Sequence, residues 1–290
     1  MCPCYNAPRR MEAALLPSVG ATLHRALETP AGIPRATLVV VHGYAEHTGR
    51  YAGLVKALVA RGYATFSYDY RGHGRATGAR GHVDRFVEYV DDLRAACEAA
   101  RTAVPGRPLV LLAQSHGGLV ALRALLDPQH APDVAAAVLT APFLGLAMEV
   151  PAWKTVLGRA ASRIAPRLAM PNGLNPDDFS HDPAIATDYR NDPLNNKVAT
   201  ARWFTEMTAA QIYVRAHAGR LRVPTLWLLA GNDRVVSTPA AETVYAAAAG
   251  DKTLHRYDGL YHELYNEREP DRARVLADLF SWLDGRFPSA

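Results

Sequence analysis

The run Thr37-Leu38-Val39-Val40-Val41 lacks the polar alternation of a half-exposed strand, so it predicts a strand buried on both faces. Strand-like runs recur over Ala64–Tyr70, 108–113, 134–140, 224–230 and 252–257. Between them the spacing becomes helical. Leu54, Val55, Leu58 and Val59 share one side of a helix over Tyr51–Arg61, and Gly62 stops it. Further helices are predicted over 85–104, 116–126, 239–249 and 270–285. Asp84 is the expected cap of the first, and Pro105-Gly106 its end. Near the start, Ala13–Leu16 and Ala21–Leu27 flank Ser18-Val19-Gly20 as a hairpin. Alternating strands and helices predict an α/β fold, with a parallel sheet covered by helices on both faces.

The alternation stops between Pro142 and about Ala218, where no strand is expected. The middle of this stretch, Pro171 to Asp178, is rich in Pro, Asn and Asp. About seventy-five residues are too many for a connecting loop in a compact domain, so an inserted subdomain is expected. The division that follows is a frayed N-terminus over 1–11, a core over 12–142 and 219–290, and the insertion over 143–218. Within the insertion, Trp153, Leu157, Ala160, Ala161, Ile164 and Leu168 recur at helical spacing, with Arg159, Arg163 and Arg167 beside them. A basic amphipathic helix of this kind suits a peripheral membrane contact. It equally suits packing of its apolar face on the core or along an acyl tunnel.

Composition narrows the class. A net charge of +4 over 290 residues, with no dense Lys/Arg run and no interleaved aromatics, argues against a nucleic-acid partner. No 18-residue apolar stretch is present, and the first thirty residues hold no continuous apolar leader, so a cytoplasmic protein, at most peripheral to a membrane, is expected. Of three cysteines, Cys97 lies in a helical run as a small apolar residue, while Cys2 and Cys4 are too close for a good disulfide. The odd count speaks for a reducing compartment. His42…His47 and His73…His82 lack acidic or cysteine partners at ligand spacing, so neither a metal nor another cofactor is expected. Oligomeric state is not encoded in any pattern found.

The chemistry centres on Ala113-Gln114-Ser115-His116-Gly117-Gly118, between an apolar strand and a helix. A serine in a sharp strand-to-helix turn, with small residues two positions to either side, has the form of a nucleophile elbow. Gly117-Gly118 alone would also serve close packing of a helix on a strand, so further groups are required. Asp233 follows the strand Thr225–Ala230, and His262 follows Leu254–Tyr261. Serine, acid and histidine in this chain order, each at a strand end, can converge on one sheet edge. Ser115 is then the nucleophile, His262 the base, and Asp233 the group that orients the imidazole. The expected oxyanion donors are the backbone N–H of His116 and that of Tyr44, where Gly43 lets the loop approach closely.

Several longer motifs carry a resemblance. His42-Gly43-Tyr44-Ala45-Glu46-His47-Thr48-Gly49-Arg50-Tyr51 is similar to the H-G-x-x-E-H-x-x-R-Y signature of the monoacylglycerol lipase and lysophospholipase family of serine aminopeptidase-like hydrolases. Asp69-Tyr70-Arg71-Gly72-His73-Gly74 with Gly78–Val83, Tyr189-Arg190-Asn191-Asp192-Pro193-Leu194, and Tyr261-His262-Glu263 resemble its other segments. The likeness runs from about residue 12 to the end. It implies the α/β-hydrolase fold, with a mostly parallel eight-stranded sheet and a mainly helical cap over 143–218. It also implies hydrolysis of a lipid ester with a single acyl chain, with Ser115, Asp233 and His262 as triad. By the same likeness, Glu46 and Arg50 are candidates for binding the alcohol half of a substrate, or form a salt bridge behind the oxyanion loop. Arg71, His73 and His82 would tie down the loop after the Ala64–Tyr70 strand. The elbow departs from the family's G-H-S-M-G-G, since His116 stands in the methionine position. Amide or peptide hydrolysis, acyl transfer, and a catalytically weak binding protein remain open alternatives.

Overall fold

The computed structural model describes residues 13–147 and 152–289. The expected fraying of 1–11, the roles of Cys2 and Cys4, and the side chain of Trp153 lie outside them.

In chain order the main elements are β1 (Ala14–Ser18), β2 (Ala21–Glu28), β3 (Thr37–Val41), α1 (Ala52–Ala60), β4 (Ala64–Asp69), α2 (Val87–Ala103), β5 (Leu109–Gln114), α3 (His116–Leu125) and β6 (Ala136–Thr140). Then come α4 (Ala152–Ile164), β7 (Ala169–Pro171), α5 (Pro183–Asn191), β8 (Val198–Thr200) and α6 (Ala201–His217). The chain closes with β9 (Thr225–Ala230), α7 (Thr238–Ala247), β10 (Lys252–Tyr257) and α8 (Asp271–Arg286). Eight strands form one sheet in the order β1-β2-β4-β3-β5-β6-β9-β10. The β1–β2 and β2–β4 pairs are antiparallel, and the other pairs are parallel.

Strand alternation explains why apolar residues run continuously along the central strands. Val39, Val41, Leu111, Ala113 and Leu229 point to one core with α2, α3 and α6. Their neighbours Leu38, Val40, Val110, Leu112 and Leu228 point to the other core with α1 and α8. Both faces of the central strands are therefore dry, and their few polar side chains are buried too, Thr37 Oγ1 and Tyr68 Oη without a hydrogen-bond partner.

Three details differ from the sequence reading. Asp84 does not cap α2. The backbone N–H groups of Arg85 and Phe86 are instead taken by Glu88 and by Glu206, the latter 120 residues away, and Asp84 pairs with His82. The stretch after Pro142 does contain strands, since β7 and β8 pair antiparallel. Within α4 the packed side is small. Gly158 sits against Phe204, and Ser162 bonds Thr205 of α6, while Leu157 and Ile164 are 59% and 86% exposed. Their apolar side faces outward, not the core. No helix among the described residues is long and apolar enough to cross a membrane.

Candidate active site

Open parallel sheets gather functional groups at the carboxyl ends of their strands. Here β5 ends at Gln114 and α3 begins at His116, so Ser115 alone makes the turn, at φ 53° and ψ −117°. A non-glycine residue at positive φ stores on the order of 1–3 kcal/mol of strain and must be held from outside. The Ser115 N–H donates to Thr140 O (2.9 Å), and its carbonyl accepts from Phe143 N (2.9 Å). The small residue at Gly117 is obligatory. A Cβ on Gly117 would lie 2.2 Å from Val41 O and 2.5 Å from His42 O.

Asp233 and His262 meet as the chain order requires. Asp233 Oδ2 lies 2.8 Å from His262 Nδ1, with the carboxylate fully buried. Its other oxygen accepts from the N–H groups of Val235 (2.8 Å) and Val236 (2.9 Å), which lock the carboxylate plane. Gln114 Nε2 donates to the His262 carbonyl (3.1 Å), joining the histidine loop to the elbow. Burial pulls the His262 imidazolium down, but Asp233, followed by Glu263 and Glu46, outweighs it, and the net shift is upward from 6.5.

Ser115 and His262 line one cavity of about 300 Å³. Its walls are largely apolar, with Tyr44, Phe143, Trp203, Phe204, Met207, Val235 and Val236. Asn172, Asn175, Asp178 and Arg234 add polar groups to its lining. The α6 residues Trp203, Phe204 and Met207 were not singled out from sequence, although Trp203, Met207, Ala210 and Val214 repeat at helical spacing.

The loop after β3 passes beside the serine, since a Cβ on Gly43 would sit 3.3 Å from Ser115 Cβ. It is pinned on both sides. From the insertion, Tyr189 Oη and the Asn196 N–H both donate to Ala45 O (3.0 Å each), and Asp192 pairs with His47 (2.7 Å). The Tyr44 ring stacks on Trp203, with centroids 3.8 Å apart.

Glu46 and Arg50 form a buried network. Glu46 Oε1 accepts from Gly43 N (2.5 Å) and Tyr51 Oη (2.6 Å), and Oε2 accepts from Arg50 Nε (3.0 Å). Arg50 Nη2 reaches both oxygens of Glu263 at 2.6 Å. Glu46 and Glu263 border the cavity, whereas Arg50 stands behind them. Both oxygens of Glu46 are thus engaged inside the protein.

The His116 imidazole is fully buried and takes no part in lining the cavity. Burial, with a contribution from His42, pushes its imidazole down to about 3, so the ring is neutral at physiological pH. Its Nδ1 lies 3.2 Å from Tyr70 Oη. Arg71 forks onto Asp92, His73 Nδ1 contacts Arg71 O, and His82 contacts Thr200, so the loop after β4 is tied down.

A family model described as serine aminopeptidase, S33, matches residues 32–269. A phospholipase of Bacillus subtilis, YtpA, is 34% identical over 251 residues, covering 86% of this chain and 95% of that protein. A monoacylglycerol lipase of Mycolicibacterium smegmatis is 30% identical over 257 residues, covering 88% and 90%. The crystal structure of a monoacylglycerol lipase from Paleococcus ferrophilus superposes with a TM-score of 0.81 at 27% identity, covering 91% of this chain and 99% of that one.

Proposed function

The chain belongs to the serine aminopeptidase, S33, family of hydrolases, and from that premise we propose that it cleaves lipid esters carrying one acyl chain, monoacylglycerols or lysophospholipids, through an acyl-enzyme on Ser115. The observation that carries this reading is His262, held by the buried Asp233, bordering the same apolar cavity as the strained Ser115. The relatives named phospholipase and monoacylglycerol lipase support the substrate class. The cavity volume supports it too, since about 300 Å³ is the lower end for small-molecule sites and favours one chain over two.

In this mechanism His262 Nε2 takes the hydroxyl proton as Ser115 Oγ bonds the ester carbon. Asp233 holds the proton on Nδ1 and stabilises the imidazolium. The N–H groups of Tyr44 and His116 receive the oxyanion. The His116 N–H is free for this, because the first N–H groups of a helix have no intrahelical acceptor. As the ester C–O bond breaks, His262 returns the proton to the departing alkoxide. Water then attacks the acyl carbon, gives its proton to His262, and the carboxylic acid leaves as Ser115 recovers its hydrogen.

Residues 143–218 act as a cap over the core of 12–142 and 219–290. The outward Leu157, Ile164 and Leu168, flanked by exposed Arg159, Arg163 and Arg167, support contact of this cap with an anionic membrane surface. Glu46, backed by Arg50, shapes the alcohol side of the cavity from its wall.

The test compares a monoacylglycerol, a lysophosphatidylcholine and an N-acyl amide of one chain length. Ester turnover that disappears in Ser115→Ala is expected. Preference for the amide, or ester turnover surviving in Ser115→Ala, would contradict the assignment.

A further inference from the structure

A planar trans peptide points its C=O and N–H in opposite directions, so whatever holds one end aims the other. The peptide between Gly43 and Tyr44 carries the Tyr44 N–H at one end and Gly43 O at the other. Gly43 O is buried and doubly bonded, to Tyr70 Oη at 2.6 Å and to His42 Nδ1 at 2.8 Å. A carbonyl can only accept, so the Tyr70 hydroxyl proton is committed to Gly43 O. The Tyr70 oxygen is then free to accept, and His116 Nδ1 lies 3.2 Å from it. Nδ1 therefore carries the hydrogen. This leaves His116 Nε2 as a lone pair, and that atom is buried without a partner. The opposite tautomer would bury an unpaired N–H, the costlier arrangement. The His42 ring is stacked on Tyr70, with centroids 3.9 Å apart and planes 11° apart, so the phenol cannot swing away.

We propose that the Tyr70 hydroxyl, braced by the His116 side chain and acting beside His42 Nδ1, is a positioning group of the oxyanion site. It grips Gly43 O from beneath and so aims the Tyr44 N–H at the reacting carbonyl. The proposal rests on the reading of Ser115 as nucleophile and Tyr44 N–H as oxyanion donor. His116 then serves the site twice, with its backbone N–H as one donor and its imidazole as support for the other. A methionine at this position could not give that support, having no N–H.

Tyr70→Phe keeps the ring and deletes the shorter of the two bonds that hold Gly43 O, leaving the one from His42, while His116→Met deletes only the brace. In Tyr70→Phe, kcat for a monoacylglycerol is expected to fall about tenfold with KM nearly unchanged. Affinity for an alkyl boronic acid, which forms a tetrahedral adduct on the serine, should fall in parallel. His116→Met should lose a smaller factor, and should lose nothing further when combined with Tyr70→Phe, because both act through one hydroxyl. Unchanged kcat in Tyr70→Phe, a loss confined to KM, intact boronic-acid affinity, or losses that multiply in the double variant would each overturn the proposal. Absence of ester turnover in the unaltered protein would instead undo the nucleophile reading.

Discussion

Replacing Asp233 with Asn removes one charge and almost no volume, and the surroundings decide which way the amide turns. One carboxylate oxygen accepts from two backbone N–H groups, at 2.8 and 2.9 Å, and the other faces His262 Nδ1. In Asp233→Asn the side-chain carbonyl must stay on the two N–H donors, which puts the NH₂ against Nδ1. That forces the hydrogen onto Nε2, the tautomer that cannot take a proton from Ser115. Turning the amide over would face two buried N–H donors with an NH₂. At about 1–3 kcal/mol for each unsatisfied group, the turned form lies roughly 4 kcal/mol higher and holds about one molecule in a thousand. Loss of the negative charge that stabilises the imidazolium adds to this. A fall in kcat of about 10⁴-fold, or about 5.4 kcal/mol of barrier, is expected. The assay is steady-state hydrolysis of a short-chain p-nitrophenyl ester across pH 5 to 9, with thermal melting to confirm folding. A folded variant that loses less than about thirtyfold would refute the argument, because such activity requires the productive tautomer.

Three further outcomes follow from the same geometry. Glu263 helps hold the His262 pKa above 6.5, and only the neutral imidazole works as base, so Glu263→Gln should move the acidic limb of kcat/KM to lower pH; an unmoved or raised limb would contradict the electrostatics. Gly117→Ala puts a carbon 2.2 Å from Val41 O on a buried strand end, so denaturant melts should show a loss of about 3 kcal/mol or failure to accumulate folded protein; a change within about 0.5 kcal/mol would mean the elbow is looser than described. At about 1 kcal/mol per basic residue, reversing Arg159, Arg163 and Arg167 to Glu should weaken sedimentation with phosphatidylserine vesicles at least about 100-fold; equal binding would retire the membrane contact.

The parts of the proposed site were legible because each of them leaves a local trace. The continuous apolar run of β3, small residues around Ser115, and an acid and a histidine at successive strand ends can each be read within ten residues. What stayed hidden depends on partners far along the chain. The i,i+4 spacing of Glu46 and Arg50 is visible, but their third member, Glu263, arrives from 213 residues away and completes the buried network. The N–H of Phe86, just ahead of α2, is taken by Glu206 in place of the adjacent Asp84 for the same reason. The pairing of β7 with β8 spans three residues in each strand, too few to show a period of two. In α4 the periodicity marked an apolar side correctly, yet periodicity does not say what covers that side, and Leu157 and Ile164 turned out to face solvent. The bond from Tyr70 to the loop carbonyl was beyond reach, since it joins two strand ends that are neighbours only once the sheet forms.

The deepest commitment is that one hydroxyl, at the turn between β5 and α3, becomes covalently loaded during turnover. Treating the protein with an alkyl fluorophosphonate and locating the adduct by peptide mass spectrometry tests it most directly. A single stoichiometric modification on Ser115, lost on prior inactivation of His262 by substitution, is the expected result. An unmodified Ser115, or modification on another residue with hydrolysis blocked, would contradict the account.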